Sequence, residues 1–171
     1  MYKVSMKLSH VSLLAGLLFS SSSWALSTDT EQPIHINSDT QNFDMQSNRV
    51  TFNGDVTLKQ GSIKIFADKL IVIRPQGQEG REILEAYGKP ARFSQLTDDG
   101  KTLRGKANKL RYELENEFLT MTDNAELTQD DSVIQGKVIT YNMKTQKLIA
   151  DGGKDERVTT ILQPSQLNKK Q

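Results

Sequence analysis

The sequence predicts an all-β fold, a sandwich, jelly roll or solenoid, on three observations. Val50, Phe52, Val56 and Leu58 alternate with Thr51, Asn53, Asp55 and Thr57, and the beat resumes after Gln60-Gly61 as Ile63, Ile65 and Ala67. A side-chain period of two marks a strand with one dry face. Turn formers punctuate the chain at intervals of about 8–12 residues, the spacing of short antiparallel strands. Third, there is a faint internal repeat: Phe52–Gln60 (FNGDVTLKQ) parallels Met121–Gln129 (MTDNAELTQ), and Ala67-Asp68-Lys69-Leu70 is echoed by Ala107-Asn108-Lys109-Leu110 and by Gln135-Gly136-Lys137-Val138.

In chain order, Lys3 and Lys7 precede an apolar run from Val11 to Phe19 that ends in Ser23-Trp24-Ala25. This is the pattern of a secretory signal peptide, residues 1–25, cleaved after Ala25. The apolar run is well short of the ~20 residues needed to span a bilayer, and no cysteine follows to carry a lipid. Losing Lys3 and Lys7 takes the 22 basic residues to 20 against 21 acidic ones, a net charge of −1, which argues against general nucleic-acid binding. There is no cysteine at all, so an exported chain would depend on pairing and packing rather than disulfides. The mature chain reads as soluble, and in a two-membraned bacterium it would lie between the membranes.

Residues 26–32 read as a loose polar arm. Pro33 then opens a short edge strand, Ile34-His35-Ile36, since proline is tolerated at the start of a strand. Residues 38–47 hold one weak strand between turns. Val50–Val72 forms a hairpin turning at Gln60-Gly61, with one dry and one wet face. Arg74–Gly80 is a loop, and Ile83–Gln95 reads as two short strands around Tyr87-Gly88-Lys89-Pro90. After a turn at Thr97–Lys101, the beat returns as Leu110, Tyr112 and Leu114, then Met121, Ala125 and Leu127, then Val133 and, out of phase, Val138. Ala107–Phe118 contains helix formers, but its apolar residues fall every second position, so it reads as strand. Lys144–Gln146 and Asp151–Lys154 are turns. Arg157–Leu162 is β-prone and stops before Pro164.

The chemistry excluded is as informative. Beyond the leader the one histidine is His35, placed between inward Ile34 and Ile36 on the wet face, so histidine triads and most transition-metal sites lack their residues. The acids cluster in turns, as at Asp98-Asp99, Asp130-Asp131 and Asp155-Glu156, rather than converging as a catalytic pair. No glycine-rich phosphate loop occurs. No catalytic residue, metal or cofactor is predicted, and the dry face is left as the candidate site. Its inward candidates Val56, Ala67, Ala91, Ala125 and Val133 are small to medium, which permits a groove for an apolar ligand.

The leader followed by QPIHI (32–36), VTFNGDV (50–56), QGSIKIFADKL (60–70), YGKPARF (87–93) and RVTTILQPSQL (157–167) closely resembles the OstA-like family of lipopolysaccharide-export proteins of Gram-negative bacteria. The match covers nearly the whole mature chain. The resemblance implies a twisted antiparallel β-jelly roll over residues 33–164, two sheets in a V with an open hydrophobic groove, followed by a polar tail, 165–171. It further implies a bridge that carries lipopolysaccharide between the membranes with its lipid A acyl chains in the groove. The implied partners are LptC at the inner membrane, LptD with LptE at the outer one, and further copies of itself head to tail. On that basis alternation nominates Ile34, Ile36, Val50, Phe52, Val56, Leu58, Ile63, Ile65, Phe93, Tyr112, Leu114 and Leu127 as groove-lining, and Arg74 as a lipid-phosphate contact. Pro33, Ile34, His35 and Ile36 at one end, and Val158, Thr159, Thr160, Ile161 and Leu162 at the other, are the expected partner edges. A periplasmic glycan-binding or chaperone-like β module is the alternative reading.

Overall fold

The computed structural model describes residues 29–75 and 79–163. The predicted leader, residues 76–78 of the loop and the tail lie outside them. A single 3-10 turn, Asp29–Glu31, precedes ten strands: β1 (His35–Asn37), β2 (Thr40–Asp44), β3 (Arg49–Gln60), β4 (Ile63–Ile73), β5 (Ile83–Leu96), β6 (Thr102–Glu113), β7 (Phe118–Gln129), β8 (Ser132–Asn142), β9 (Lys147–Asp151) and β10 (Thr159–Ile161). All pairings are antiparallel and nearly sequential, in the order β1-β3-β4-β5-β6-β7-β8-β10, with β2 also on β3 and β9 also on β8.

The two expected sheets are the two halves of this one continuous sheet. Every long pairing breaks register in mid-strand: at Asn53/Val56, Phe66/Lys69, Tyr87/Ala91, Lys106/Lys109 and Thr122/Ala125. An extra residue in one strand bends it and increases its twist, so breaks aligned across five pairings fold the sheet along a line. The first half-sheet is edged by β1 and β10, which pair with Thr57–Lys59 of β3 and Val133–Gln135 of β8. The second is edged by β2 and β9, on Arg49–Asn53 and Val138–Asn142.

The sequence supplies the bends. Gly54 and Asp55 take φ of 81° and 39°, and their counterparts in the repeat, Asp123 and Asn124, take 61° and 55°. Glycine, asparagine and aspartate enter this left-handed region most readily. A Cβ on Gly54 would also sit 2.1 Å from the Asp39 carboxylate, so the position excludes any side chain. Beside the fold line the residues are small, with Ala91 and Ala107 paired directly and both fully buried.

Four expectations are corrected. Residues 83–95 form one strand, not two: pairing is interrupted at Gly88–Pro90, around the cis Lys89–Pro90 bond, and resumes at Ala91 with β6 and at Arg92 with β4. Proline there forfeits no ladder bond. Val133 is not inward. It pairs with outward Thr128, while Ile134 pairs with buried Leu127 and packs on the core. The first edge strand runs one residue later than expected, leaving Pro33 and Ile34 before it, and the last is Thr159–Ile161, with Val158 and Leu162 flanking it. Finally, the described part of the arm is anchored: Asp29 is buried and accepts from the backbone N–H and hydroxyl of Ser62, and Gln60 Nε2 donates to the carbonyls of Thr30 and Gln32 at 2.8 and 3.0 Å.

Candidate functional site: the apolar interior and its rims

Facing inward, one row of side chains crosses the whole second half-sheet. Phe43, Val50, Val72, Leu84, Tyr112, Leu119, Tyr141 and Leu148 are successive cross-strand neighbours from β2 to β9. In the first half-sheet Ile36, Leu58, Ile65, Phe93, Gly105, Leu127, Ile134 and Thr160 do the same from β1 to β10. The apolar surface therefore reaches both ends of the molecule. Gly105 in that row leaves room for its neighbours, because a Cβ there would lie 2.6 Å from Met121 Sδ.

Of the twelve nominated residues, Phe52, Val56, Leu58, Ile63, Ile65, Phe93, Tyr112 and Leu127 are buried in one shared cluster. Ile34, Ile36, Val50 and Leu114 are partly buried against it. Arg74 does not face the interior cluster; its Nε lies 3.0 Å from Glu82 Oε1, at the base of the β4–β5 loop. Among the nominated edge residues, His35 and Val158–Leu162 are exposed.

The hairpin turns of the two half-sheets form two rims, and side-chain hydrogen bonds between described residues join them. Tyr112 OH, on the second half-sheet, donates to Gln60 Oε1 on the first at 3.2 Å. Burial pushes the Tyr112 phenol far above its ordinary pKa, and the Glu117 and Asp29 carboxylates push in the same direction. It is thus a neutral donor throughout the physiological range. Nearer the C-terminal end, Gln146 Nε2 donates to Asp98 Oδ2 at 2.8 Å.

Beside this second clasp a cleft opens into the interior. Leu103, Leu127, Ile134, Tyr141, Leu148 and Leu162 form its apolar floor and walls, with Thr97, Gln129, Ser132 and Gln146 at the polar edge. Leu127 alone of the nominated groove residues lines it. Leu148 was missed because β9 is short, and Ile134 because the alternation was phased on Val133. Gln95 Oε1, in the same rim region, is a buried acceptor with no protein partner. Among the described residues no group of three or more His, Cys, Asp or Glu is placed to hold a metal, and no helix is long and apolar enough to cross a membrane.

The ends are unusually apolar for exposed strands. Phe43, Met45, Ile149, Val158, Ile161 and Leu162 lie on or beside β2, β9 and β10 and are exposed, Met45 by 77% and Ile149 by 72%. Monomeric proteins normally protect such edges with charge, proline or a covering segment.

A single antiparallel sheet, folded along one line around an apolar interior, slit between its rims and left unclosed at both ends, defines the open β-jelly-roll class. Residues 35–147 match the family model described as "LptA/(LptD N-terminal domain) LPS transport protein". The chain belongs to that family. It is 51% identical over 166 residues to the lipopolysaccharide export system protein LptA of Escherichia coli strain K12, covering 96% of this chain and 90% of that protein. It is 53% identical over 152 residues to LptA of Haemophilus influenzae, covering 88% of each. The crystal structure of LptH, the LptA-homologous periplasmic component of the lipopolysaccharide transport device of Pseudomonas aeruginosa, superposes with a TM-score of 0.73 at 23% identity. The match covers 80% of this chain and 99% of that one and shows the shared fold.

Proposed function

We propose that this chain is a periplasmic lipopolysaccharide-export protein, exported through its cleaved leader, that shields the acyl chains of lipid A inside its folded sheet. The observation that carries this reading is the pair of inward apolar rows running from one unclosed edge to the other. At ~0.8 kcal/mol per buried methylene, an acyl chain of about a dozen carbons crossing water bare would forfeit on the order of 10 kcal/mol. A continuous apolar path removes that barrier, and its lack of strongly polar anchors lets cargo move on. The family is one of transport proteins, and the chain acts as a carrier rather than a catalyst.

The interior is packed with its own side chains, so loading requires the rims to part. Side-chain hydrogen bonds between described residues join them, and the cleft at Leu127, Ile134 and Leu148 is where an acyl chain first finds apolar surface.

The edges complete the reading. β9 and β10 of one copy can pair with β2 and β1 of the next, and both inward rows then continue across the junction. A head-to-tail contact of this kind does not close on itself and gives open chains. The same edges would meet LptC at the inner membrane and the LptD–LptE complex at the outer one.

The test is a photo-crosslinking amino acid at Phe93 or Ile36 in living cells, with outward Thr57 as control. A lipopolysaccharide adduct at the inward positions but not at Thr57 supports the conduit. No adduct at any inward position overturns it.

A further inference from the structure

Exposed cations stand on the outward faces of both half-sheets, Lys69 and Lys147 on the second among them. On the second, Lys109 and Arg111 both reach Glu85, at 2.8 and 3.2 Å, and Arg111 also reaches Glu113 at 2.9 Å. On the first, Lys59, Lys64, Arg92 and Arg104 are exposed and have no ion pair among the described residues. Lys106, on the same face, is ion-paired with Glu126 at 2.8 Å.

Several of these cations, Lys106 included, also face one another across strand pairs. Lys59 is directly opposite Lys64, and Arg92 directly opposite Lys106. Like charges facing across a strand pair are destabilising, so the sheet holds this arrangement against its own stability. Arg92 and Arg104 are diagonal neighbours on β5 and β6, at a spacing of about 7–8 Å, wide enough to hold one phosphate between two guanidinium forks. They border a shallow depression with Phe66, Ser94 and Thr128. The Phe66 ring is 43% exposed beside them, although it stands in mid-sheet and not at an end.

We propose that this outward face binds a phosphorylated saccharide, with the phosphate between Arg92 and Arg104 and a sugar ring against Phe66. Guanidinium forks match phosphate oxygens, the Ser94 and Thr128 hydroxyls match sugar hydroxyls, and an aromatic face suits the C–H face of a pyranose. A bilayer surface fits less well. Glu126 borders the same depression, and Asp55 and Asp68 border its neighbour beside Arg92, so a continuous negative surface would press on three acids. A discrete phosphate would not. The inference rests on the export reading only for the source of the saccharide, the phosphorylated head of the cargo.

The experiment is calorimetric titration of the mature protein, at low salt, with lipopolysaccharide saccharide stripped of acyl chains but retaining its phosphates. Binding should weaken at least tenfold in R92Q/R104Q, and also when the saccharide is dephosphorylated or the salt raised to screen the charges. K144Q, a charge removed from an exposed turn, should bind as wild type, and F66S should weaken binding without any change of charge. R92Q/R104Q, which relieves like-charge repulsion, should keep or raise the wild-type thermal midpoint, K144Q should leave it unchanged, and F66S is titrated well below its own midpoint. Equal affinity for phosphorylated and dephosphorylated saccharide, or wild-type affinity in R92Q/R104Q, overturns the proposal. Sedimentation with phosphatidylglycerol vesicles that needs Arg92 and Arg104, without saccharide binding, overturns it in favour of a bilayer. Crosslinking of intact lipopolysaccharide at Phe93 is read separately, so failure of the interior conduit and failure of this face are distinguishable.

Discussion

Tyr112 and Gln60, 52 positions apart in sequence, meet through a 3.2 Å buried hydrogen bond that ties one half-sheet to the other. Gln60 is held in turn by the carbonyls of Thr30 and Gln32, so the N-terminal turn, the β3–β4 hairpin and the middle of the second half-sheet form one connected network. The two half-sheets are thereby tied together on the β3 side of the interior, and the cleft lies toward β8 and β9.

Tyr112→Phe keeps the ring and removes the clasp. Gln60 Oε1 is left buried without its donor, and such an orphan costs about 1–2 kcal/mol. Urea unfolding should show a lower midpoint with an unchanged slope, and the weaker rim contact should raise the yield of lipid adducts at inward positions.

Asp29→Ala should free the N-terminal turn. Its carboxylate accepts the 2.7 Å bond from the Ser62 N–H and a second bond from the Ser62 hydroxyl. A loss of about 1–2 kcal/mol is expected, with faster amide hydrogen exchange at Ser62 and little change in β8 or β9.

Gly105→Val should overfill the interior. The new side chain would press on Met121, Leu127 and Phe93, and overpacking of this kind costs about 1–3 kcal/mol. A lower thermal midpoint and a weaker lipid adduct at Phe93 are the expected readings.

Thr160→Pro should abolish association while leaving the monomer folded, because β10 contributes three residue pairs at the very edge of the sheet. Size-exclusion chromatography with light scattering checks this, and unchanged assembly would exclude β10 as a working interface.

Stability should fall in acid partly through Glu85. Burial works against its charged form, but hydrogen bonds from Lys109, Tyr87 and Arg111 outweigh it and hold the carboxyl below its ordinary value of 4.5. A folded-state pKa that is lowered gives stabilisation that is complete above the unfolded value and lost as pH falls through the folded one. Urea midpoints measured between about pH 5 and pH 3 should therefore decline less steeply in Glu85→Gln than in wild type. Some slope will remain, since Asp99 and Glu126 are shifted in the same direction.

The internal repeat shows how far local signals carried. Gly54-Asp55 and Asp123-Asn124 are the left-handed pairs at the fold line, and the Ala67-Asp68-Lys69 and Ala107-Asn108-Lys109 echoes cross the same line on partner strands. What reads in the sequence as a repeated motif is the local chemistry of a bend. Its meaning appears only when five strand pairs are aligned. The same bend misled the phasing of β8: a register break shifts the inward set by one residue, so Ile134 and Ile139 face the interior while Val133 and Val138 do not. At Tyr87–Pro90 the turn-forming residues were read correctly as an irregularity and wrongly as an end, because an interruption that both neighbouring strands share does not stop a strand.

By itself, the sequence determined most of the strands, the dry faces outside β8, and the family, because period-two alternation, turn chemistry and motif order are local properties of the chain. Tertiary structure alone decided that the two sheets are one sheet bent along aligned bulges, and that Arg74 pairs with Glu82. It also decided where the interior opens and that Arg92 and Arg104 stand side by side with no ion pair among the described residues. Those features depend on cross-strand register, and register is set by the sum of many distant pairings rather than by any stretch of sequence.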